Sequence, residues 1–106
     1  MIHKTAIIDP KAKIGSNVEI GPYCVIGPNV EIGENSIIAG QVGIAGSSVI
    51  GSNVKIGGQA GVSGHLKIGN NVEIGGGSGV IRDIPDNTKV MGYPAKNIRQ
   101  FLREKK

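Results

Sequence analysis

The sequence predicts an all-β solenoid, a parallel β-helix of six-residue repeats, closed by a short C-terminal α-helix. Three observations predict it. A β-branched aliphatic recurs at every sixth position from Ile2 through Ile8, Ile14 and Ile20 to Ile74 and Val80. A small or medium residue recurs four places later in each hexad, from Ala6 and Ala12 to Ser78 and Ile84. Glycine supplies 18 of 106 residues with no Gly-X-Y triplet period, and there is no Trp. This excludes collagen and a ring-filled globular core.

Each hexad reads as a three-residue strand and a three-residue corner. In Val18-Glu19-Ile20 the outer two residues point inward and Glu19 outward, by the period-two rule. Corners are Gly-rich, and Asn recurs before the next strand at Asn17, Asn29, Asn35, Asn53 and Asn71. Both residue types adopt left-handed backbone angles at low cost. Three strands and three corners make an 18-residue triangular coil. Fourteen unbroken hexads then give between four and five coils, roughly 22 Å tall at the spacing of neighbouring strands. The β-helix is expected over residues 1–85, and a loop with a terminal amphipathic helix over 86–106.

Outward strand residues 18 apart share a face. Glu19, Ile37, Lys55 and Glu73 form one face, and Lys13, Glu31, Val49 and Lys67 a second, both with the character of solvated ladders. The third holds Ile7, Val25, Gly43, Gly61 and Gly79 and carries no charge. A flat uncharged face marks an interaction surface. The expected assembly is a homotrimer packed through it, with any shared site at the bordering corners. Small residues would also suit a tight solenoid that does not assemble.

Past Pro85 the repeat stops. Ile98, Phe101 and Leu102 fall at i, i+3 and i+4, so a short helix is expected to lay its apolar stripe over the open end. Residues 1–95 balance seven bases against seven acids, so the net charge of +4 resides in the tail, in Lys96, Arg99, Arg103, Lys105 and Lys106 against Glu104. That basic face suits an acidic partner such as an acyl carrier protein or the phosphates of coenzyme A. Basic residues also complement a helix C-terminus without any partner.

Cys24 is the sole cysteine and falls in the inward series, which makes it a buried thiol and leaves no internal disulfide. No apolar run reaches membrane-spanning length and no signal peptide is present, which points to the cytoplasm. His3 and His65 are too far apart to make a zinc site, so no metal is expected. No phosphate loop and no basic face with interleaved aromatics occurs, so nucleic acid is not an expected partner. His3 is expected to fray with the terminus.

Three stretches carry a family likeness. They are Ile26-Gly-Pro-Asn-Val-Glu-Ile-Gly-Glu-Asn-Ser-Ile-Ile-Ala-Gly-Gln-Val-Gly-Ile-Ala-Gly-Ser48, Ile56-Gly-Gly-Gln-Ala-Gly-Val-Ser-Gly-His-Leu-Lys-Ile-Gly69 and Gly92-Tyr-Pro-Ala-Lys-Asn-Ile-Arg99. Over about residues 26–103 the chain resembles the UDP-3-O-(3-hydroxyacyl)glucosamine N-acyltransferases of lipid A synthesis. The hexad alone is shared with many acyl- and nucleotidyltransferases. The Ala-Gly-Gln-Val-Gly-Ile-Ala-Gly and Ser-Gly-His blocks are more specific.

The resemblance implies a left-handed coil and a trimer with sites between subunits. It also implies transfer of an acyl chain from acyl carrier protein, or coenzyme A, to an amino sugar. A general-base histidine is implied in an Ile-Gly-His-Asn-Val motif, which here reads Ile26-Gly27-Pro28-Asn29-Val30, so Pro28 stands where a base is expected. The family's second histidine matches His65. Asn29, Gln41, Gly46, Ser47, Gln59, Gly64, Tyr93, Lys96 and Arg99 are the candidate substrate and donor contacts. The acyl donor is expected as a substrate, with no tightly bound cofactor. Members also have an N-terminal uridine-recognition domain and further coils that this sequence lacks. The expectation is therefore an acyltransferase with activity weakened or lost. The alternative is a minimal or engineered β-helix scaffold that trimerises without catalysis.

Overall fold

The computed structural model describes residues 1–104. The first thirteen strands are two-residue segments, one per hexad. β1 to β7 are Ile7–Ile8, Lys13–Ile14, Glu19–Ile20, Val25–Ile26, Glu31–Ile32, Ile37–Ile38 and Gly43–Ile44. β8 to β13 are Val49–Ile50, Lys55–Ile56, Gly61–Val62, Lys67–Ile68, Glu73–Ile74 and Gly79–Val80. β14 (Lys89–Met91), β15 (Lys96–Asn97) and α1 (Ile98–Glu104) follow.

Every third strand pairs in parallel, giving three sheets ordered β1-β4-β7-β10-β13, β2-β5-β8-β11 and β3-β6-β9-β12-β14-β15. The result is a left-handed parallel β-helix of about five turns with one short terminal helix. The faces are those read from the period: Ile7 sits opposite Val25 and Val25 opposite Gly43, and Lys13 opposite Glu31.

The core is a stack of like on like. Ile20 registers with Ile38, Ile38 with Ile56, and Ile56 with Ile74, all buried. Each such side chain contributes roughly 1.5–3 kcal/mol of burial. The second inward position holds Val18, Cys24, Val30, Val42 and Val54, which are equally buried. Cys24 Sγ donates to the Ala39 carbonyl at 3.0 Å, so this thiol lies inside the coil as expected.

Serines at this inward position bridge coils. Ser36 Oγ accepts from the Val54 N–H at 3.1 Å and donates to the Gly51 carbonyl at 3.0 Å. Ser48 does the same between Leu66 and Ser63. Buried hydroxyls are thereby satisfied at no loss of packing.

Corners obey one rule. Their third residue adopts φ near +60°, as at Asn17, Tyr23, Asn29, Asn35, Gln41, Ser47, Asn53, Gln59, His65, Asn71 and Asn87. This turns its N–H along the solenoid axis, onto the middle corner carbonyl one coil back. Asn35 bonds Ser16, Gln41 bonds Pro22 and His65 bonds Gly46 in this way. The first corner residue approaches the next coil so closely that a Cβ at Gly33 would sit 2.6 Å from the Gly51 carbonyl carbon.

The first coil solves the same problem with side chains. Neither Thr5 nor Lys11 has positive φ. Instead the Thr5 N–H donates to His3 Nδ1 at 3.1 Å, and the Lys11 N–H to Asp9 Oδ1 at 2.9 Å. The Thr5 hydroxyl also lies 2.8 Å from His3 Nδ1. His3 is therefore a half-buried corner brace, and the expectation that it frays is corrected. The amino terminus adds a bond to the Val18 carbonyl at 2.9 Å.

Beyond Pro85 the ladder continues. Ile84 bridges Ile68, and β14 joins β12 with Lys89 opposite Glu73, a step of 16 residues instead of 18. β15 returns antiparallel along β14 and hides its edge. The helix is shorter than the stripe suggested, and Asn97 Oδ1 accepts the Arg99 N–H at its start. It packs on β14 and β15, where a Cβ at Gly92 would sit 2.9 Å from the Phe101 ring. Leu102 stays 59% exposed, so the expectation that all three apolar residues cover the open end is corrected. β15 reverses the chain along the six-stranded sheet and lays the helix against that side. Lys105 and Lys106, expected in the basic tail, lie outside the described residues.

Gly33→Ala would force a methyl group onto the next coil's backbone. It is expected to destabilise the chain by about 1–3 kcal/mol, read as a lowered melting temperature. Ser48→Ala leaves the Leu66 amide and Ser63 carbonyl without their bridge and should cost about 1–3 kcal/mol in chemical denaturation.

Candidate functional site

The uncharged sheet and its two bordering corners hold most of the candidate residues. Along the sheet, Ile7 and Val25 are 67% and 52% exposed, and Gly43 and Gly61 follow. A Cβ at either glycine would meet nothing within 4 Å. Glycine in a strand weakens it relative to alanine by roughly 0.5–1 kcal/mol, and nothing within this chain requires it at those two positions. A shallow groove of about 520 Å³ runs over this floor, bounded by Val25, Gln59, Ile81 and Tyr93. The Tyr93 ring closes its upper end, standing 2.8 Å from where a Cβ on Gly79 would lie, and is itself 84% exposed.

One bordering corner stacks Pro28, Gly46 and Gly64 in its middle position and Asn29, Ser47 and His65 in its third. The backbone bonds Ser47 to Pro28 at 2.9 Å and His65 to Gly46 at 3.1 Å show this stacking. The His65 imidazole is exposed and makes no side-chain hydrogen bond among the described residues. It is therefore not a cap holding the corner. Pro28 lies two coils below, roughly 10 Å away by strand spacing, and has no group that could accept a proton.

The other bordering corner stacks Tyr23, Gln41 and Gln59, with φ of 60°, 62° and 63°. The Gln59 amide Nε2 donates to Gln41 Oε1 at 2.8 Å. Gln59 lines the groove, while His65 stands outside it. A single chain thus brings Gln59 and Tyr93 together but leaves His65, Gly64, Gly46, Ser47 and Asn29 on the opposite corner.

The third corner, remote from the groove, differs in one respect. Its third residues are Asn17, Asn35, Asn53, Asn71 and Asn87 without exception. Left-handed geometry costs an ordinary L-residue roughly 1–2 kcal/mol, and Asn or Gly least. Tyr, Gln, Ser and His accept that cost only on the two corners beside the uncharged sheet. Tyr23 belongs to this set and was missed in the sequence, although the 18-residue step from Gln41 marks it. Ile81, 48% exposed on the groove, was missed as well. Its signal was a large apolar residue in a corner position that is usually glycine.

Of the C-terminal candidates, Lys96 Nζ is engaged by Glu104 Oε1 at 2.5 Å, which holds that carboxyl below its ordinary pKa. Arg99 is exposed on α1, away from the groove lining. Among the described residues no group of three or more His, Cys, Asp or Glu could hold a metal ion. No helix among them is long and apolar enough to cross a membrane.

The repeat model described as bacterial transferase hexapeptide (six repeats) matches residues 1–30, 11–46 and 47–82. A comparison with curated proteins found no match. Among solved structures, soybean serine acetyltransferase superposes with a TM-score of 0.79 at 33% identity over 85% of this chain. Neisseria gonorrhoeae serine acetyltransferase gives 0.84 at 32% identity over 89%. PerB from Caulobacter crescentus, solved with CoA and GDP-perosamine, gives 0.60 at 26% identity over 91%. The matched regions are 41%, 42% and 55% of those chains, so this chain spans about half their length or less. The repeat, its register and these likenesses agree on one conclusion: the chain belongs to the bacterial hexapeptide transferases.

Proposed function

We propose that this protein is an acyltransferase that works as a homotrimer in the cytoplasm, moving an acyl group from a thioester donor, acyl-CoA or acyl carrier protein, to the amine of an amino sugar. The observation that carries the reading is His65. It is an exposed imidazole without an intrachain partner, held in a conformation for which Asn is cheaper, on a corner bordering a glycine-floored groove. Packing three uncharged sheets around an axis would bring the His65 corner of one subunit toward the glutamine corner of the next. The two half-sites separated in one chain would then meet. The lipid A likeness of the Gln41 and His65 blocks favours the amino-sugar acceptor.

The chemistry asks little of the chain. The acceptor amine attacks the thioester carbonyl, a C–N bond forms and the C–S bond breaks. His65 takes the proton lost by the amine, and the leaving thiolate is protonated. Pro28 removes the base expected there, so turnover rests on His65 alone and is expected to be slow. Pro28 equally favours a second reading, a trimeric scaffold without catalysis.

Thiol release from acyl-CoA and acyl carrier protein, with a nucleotide-linked amino sugar as acceptor, separates the two. Catalysis predicts release that falls about 100-fold or more in His65→Asn, whereas the scaffold predicts none from the unmodified chain. Because Asn suits φ near +60°, that variant should melt no lower than wild type. His65→Ala should lose about 1 kcal/mol of stability. For assembly, light scattering should report three chains. Gly43→Lys, whose Cβ has open space, should leave a folded monomer; a trimer surviving that change would refute the packing face.

A further inference from the structure

Gln41 and Gln59 form a ladder whose purpose the coil itself does not explain. Stacked side-chain amides can stabilise adjacent coils, but asparagine already does this here. The Asn71 Nδ2 donates to Asn87 Oδ1 at 3.1 Å on the remote corner. The shorter side chain therefore suffices for the bond and fits the left-handed corner better. What glutamine adds is one methylene, which carries the carboxamide farther from the backbone beside the groove that Gln59 lines.

The 2.8 Å bond also fixes which groups stay free. Gln59 has committed an amide hydrogen to Gln41, so its Oε1 remains an unused acceptor. A planar carboxamide that points its nitrogen toward Gln41 turns this oxygen toward the next coil. There the ladder position is Gly77, with φ of +69°, and a Cβ would meet nothing within 4 Å. The series Tyr23, Gln41, Gln59 thus ends in an empty rung with an acceptor below it. Beside that rung lie the Gly61 and Gly79 floor and the Tyr93 ring.

We infer that the Gln41–Gln59 ladder and the vacant Gly77 rung bind a secondary amide carried on an extended, otherwise apolar chain. The ligand amide N–H donates to Gln59 Oε1 as the next rung, and its methylenes cross the glycine floor toward Tyr93. The inference rests on the acyl-transfer reading, in which the thioester donor's arm carries such amides, and it assigns that arm to the glutamine corner.

Binding can be read without turnover. Titration calorimetry would compare pantetheine, which has secondary amides, with adenosine 3′,5′-bisphosphate, which has none. The comparison uses the full chain, Gln59→Asn, and the double variant Gln41→Asn with Gln59→Asn. The expected result is pantetheine binding weakened about fivefold or more in both variants, the worth of one uncharged hydrogen bond, with the bisphosphate unchanged and melting temperatures not lowered. Equal pantetheine affinity in all three proteins overturns the inference. So does equal weakening of both ligands, or no pantetheine binding by the unmodified chain at millimolar concentration. Thiol release and its loss in His65→Asn judge the acyl-transfer reading separately, since that variant leaves the ladder intact.

Discussion

The left-handed third residue of each corner governs this molecule. It turns one N–H per corner onto the coil before, and the spacing of coils follows from that bond. A right-handed or extended residue there would aim the amide elsewhere and leave the carbonyls of Ser16, Pro22 or Gly46 without their donors. The isoleucine stack then contributes burial, but the corners decide that like lies over like. The first coil supports this ordering of causes. Lacking positive φ at Thr5 and Lys11, it recruits His3 and Asp9 side chains to satisfy the same amides.

The same constraint divides the corners chemically. Where the conformation has only a structural task, asparagine fills it at five successive levels. Beside the uncharged sheet the chain places Tyr, Gln, Ser and His in equal geometry and accepts a less favourable backbone. Polar groups that suit a reacting or recognised molecule are thus concentrated on two of three edges, flanking a floor from which side chains have been removed. Strain alone names no chemistry. Its restriction to those edges, together with an imidazole that supports nothing in its own coil, gives the acyltransfer reading its footing.

Much of the fold was legible because a six-residue period admits few alternatives. The positions of Ile20, Ile38 and Ile56, the alternation around Glu19 and the grouping of Ile7 with Val25 and Gly43 all follow from counting. The bridging role of Ser36 and Ser48 was hidden, since a hydroxyl in an inward series is read only as a small residue until its two partners on neighbouring coils are located. The placement of α1 was hidden for a similar reason. Its apolar spacing shows that a face exists, whereas the reversal at β15 decides which sheet that face meets and leaves Leu102 in solvent. At the candidate site the histidine and glutamines could be found from their motif blocks. Their separation on opposite corners of one chain follows from coil geometry, and Tyr23 gains meaning only beside them in the ladder.

The 16-residue final step from Glu73 to Lys89 has a consequence for how such a chain can change length. An insertion or deletion of six residues would carry everything downstream to the neighbouring face, and one of two or three would turn isoleucines outward. Growth is therefore quantised in whole turns, and an irregular interval is tolerable only where no later coil has to inherit the register. The shortened step occurs at that place, just before the chain reverses into β15. It serves as a full stop, after which sequence drift no longer propagates into the columns that carry His65 and the glutamines.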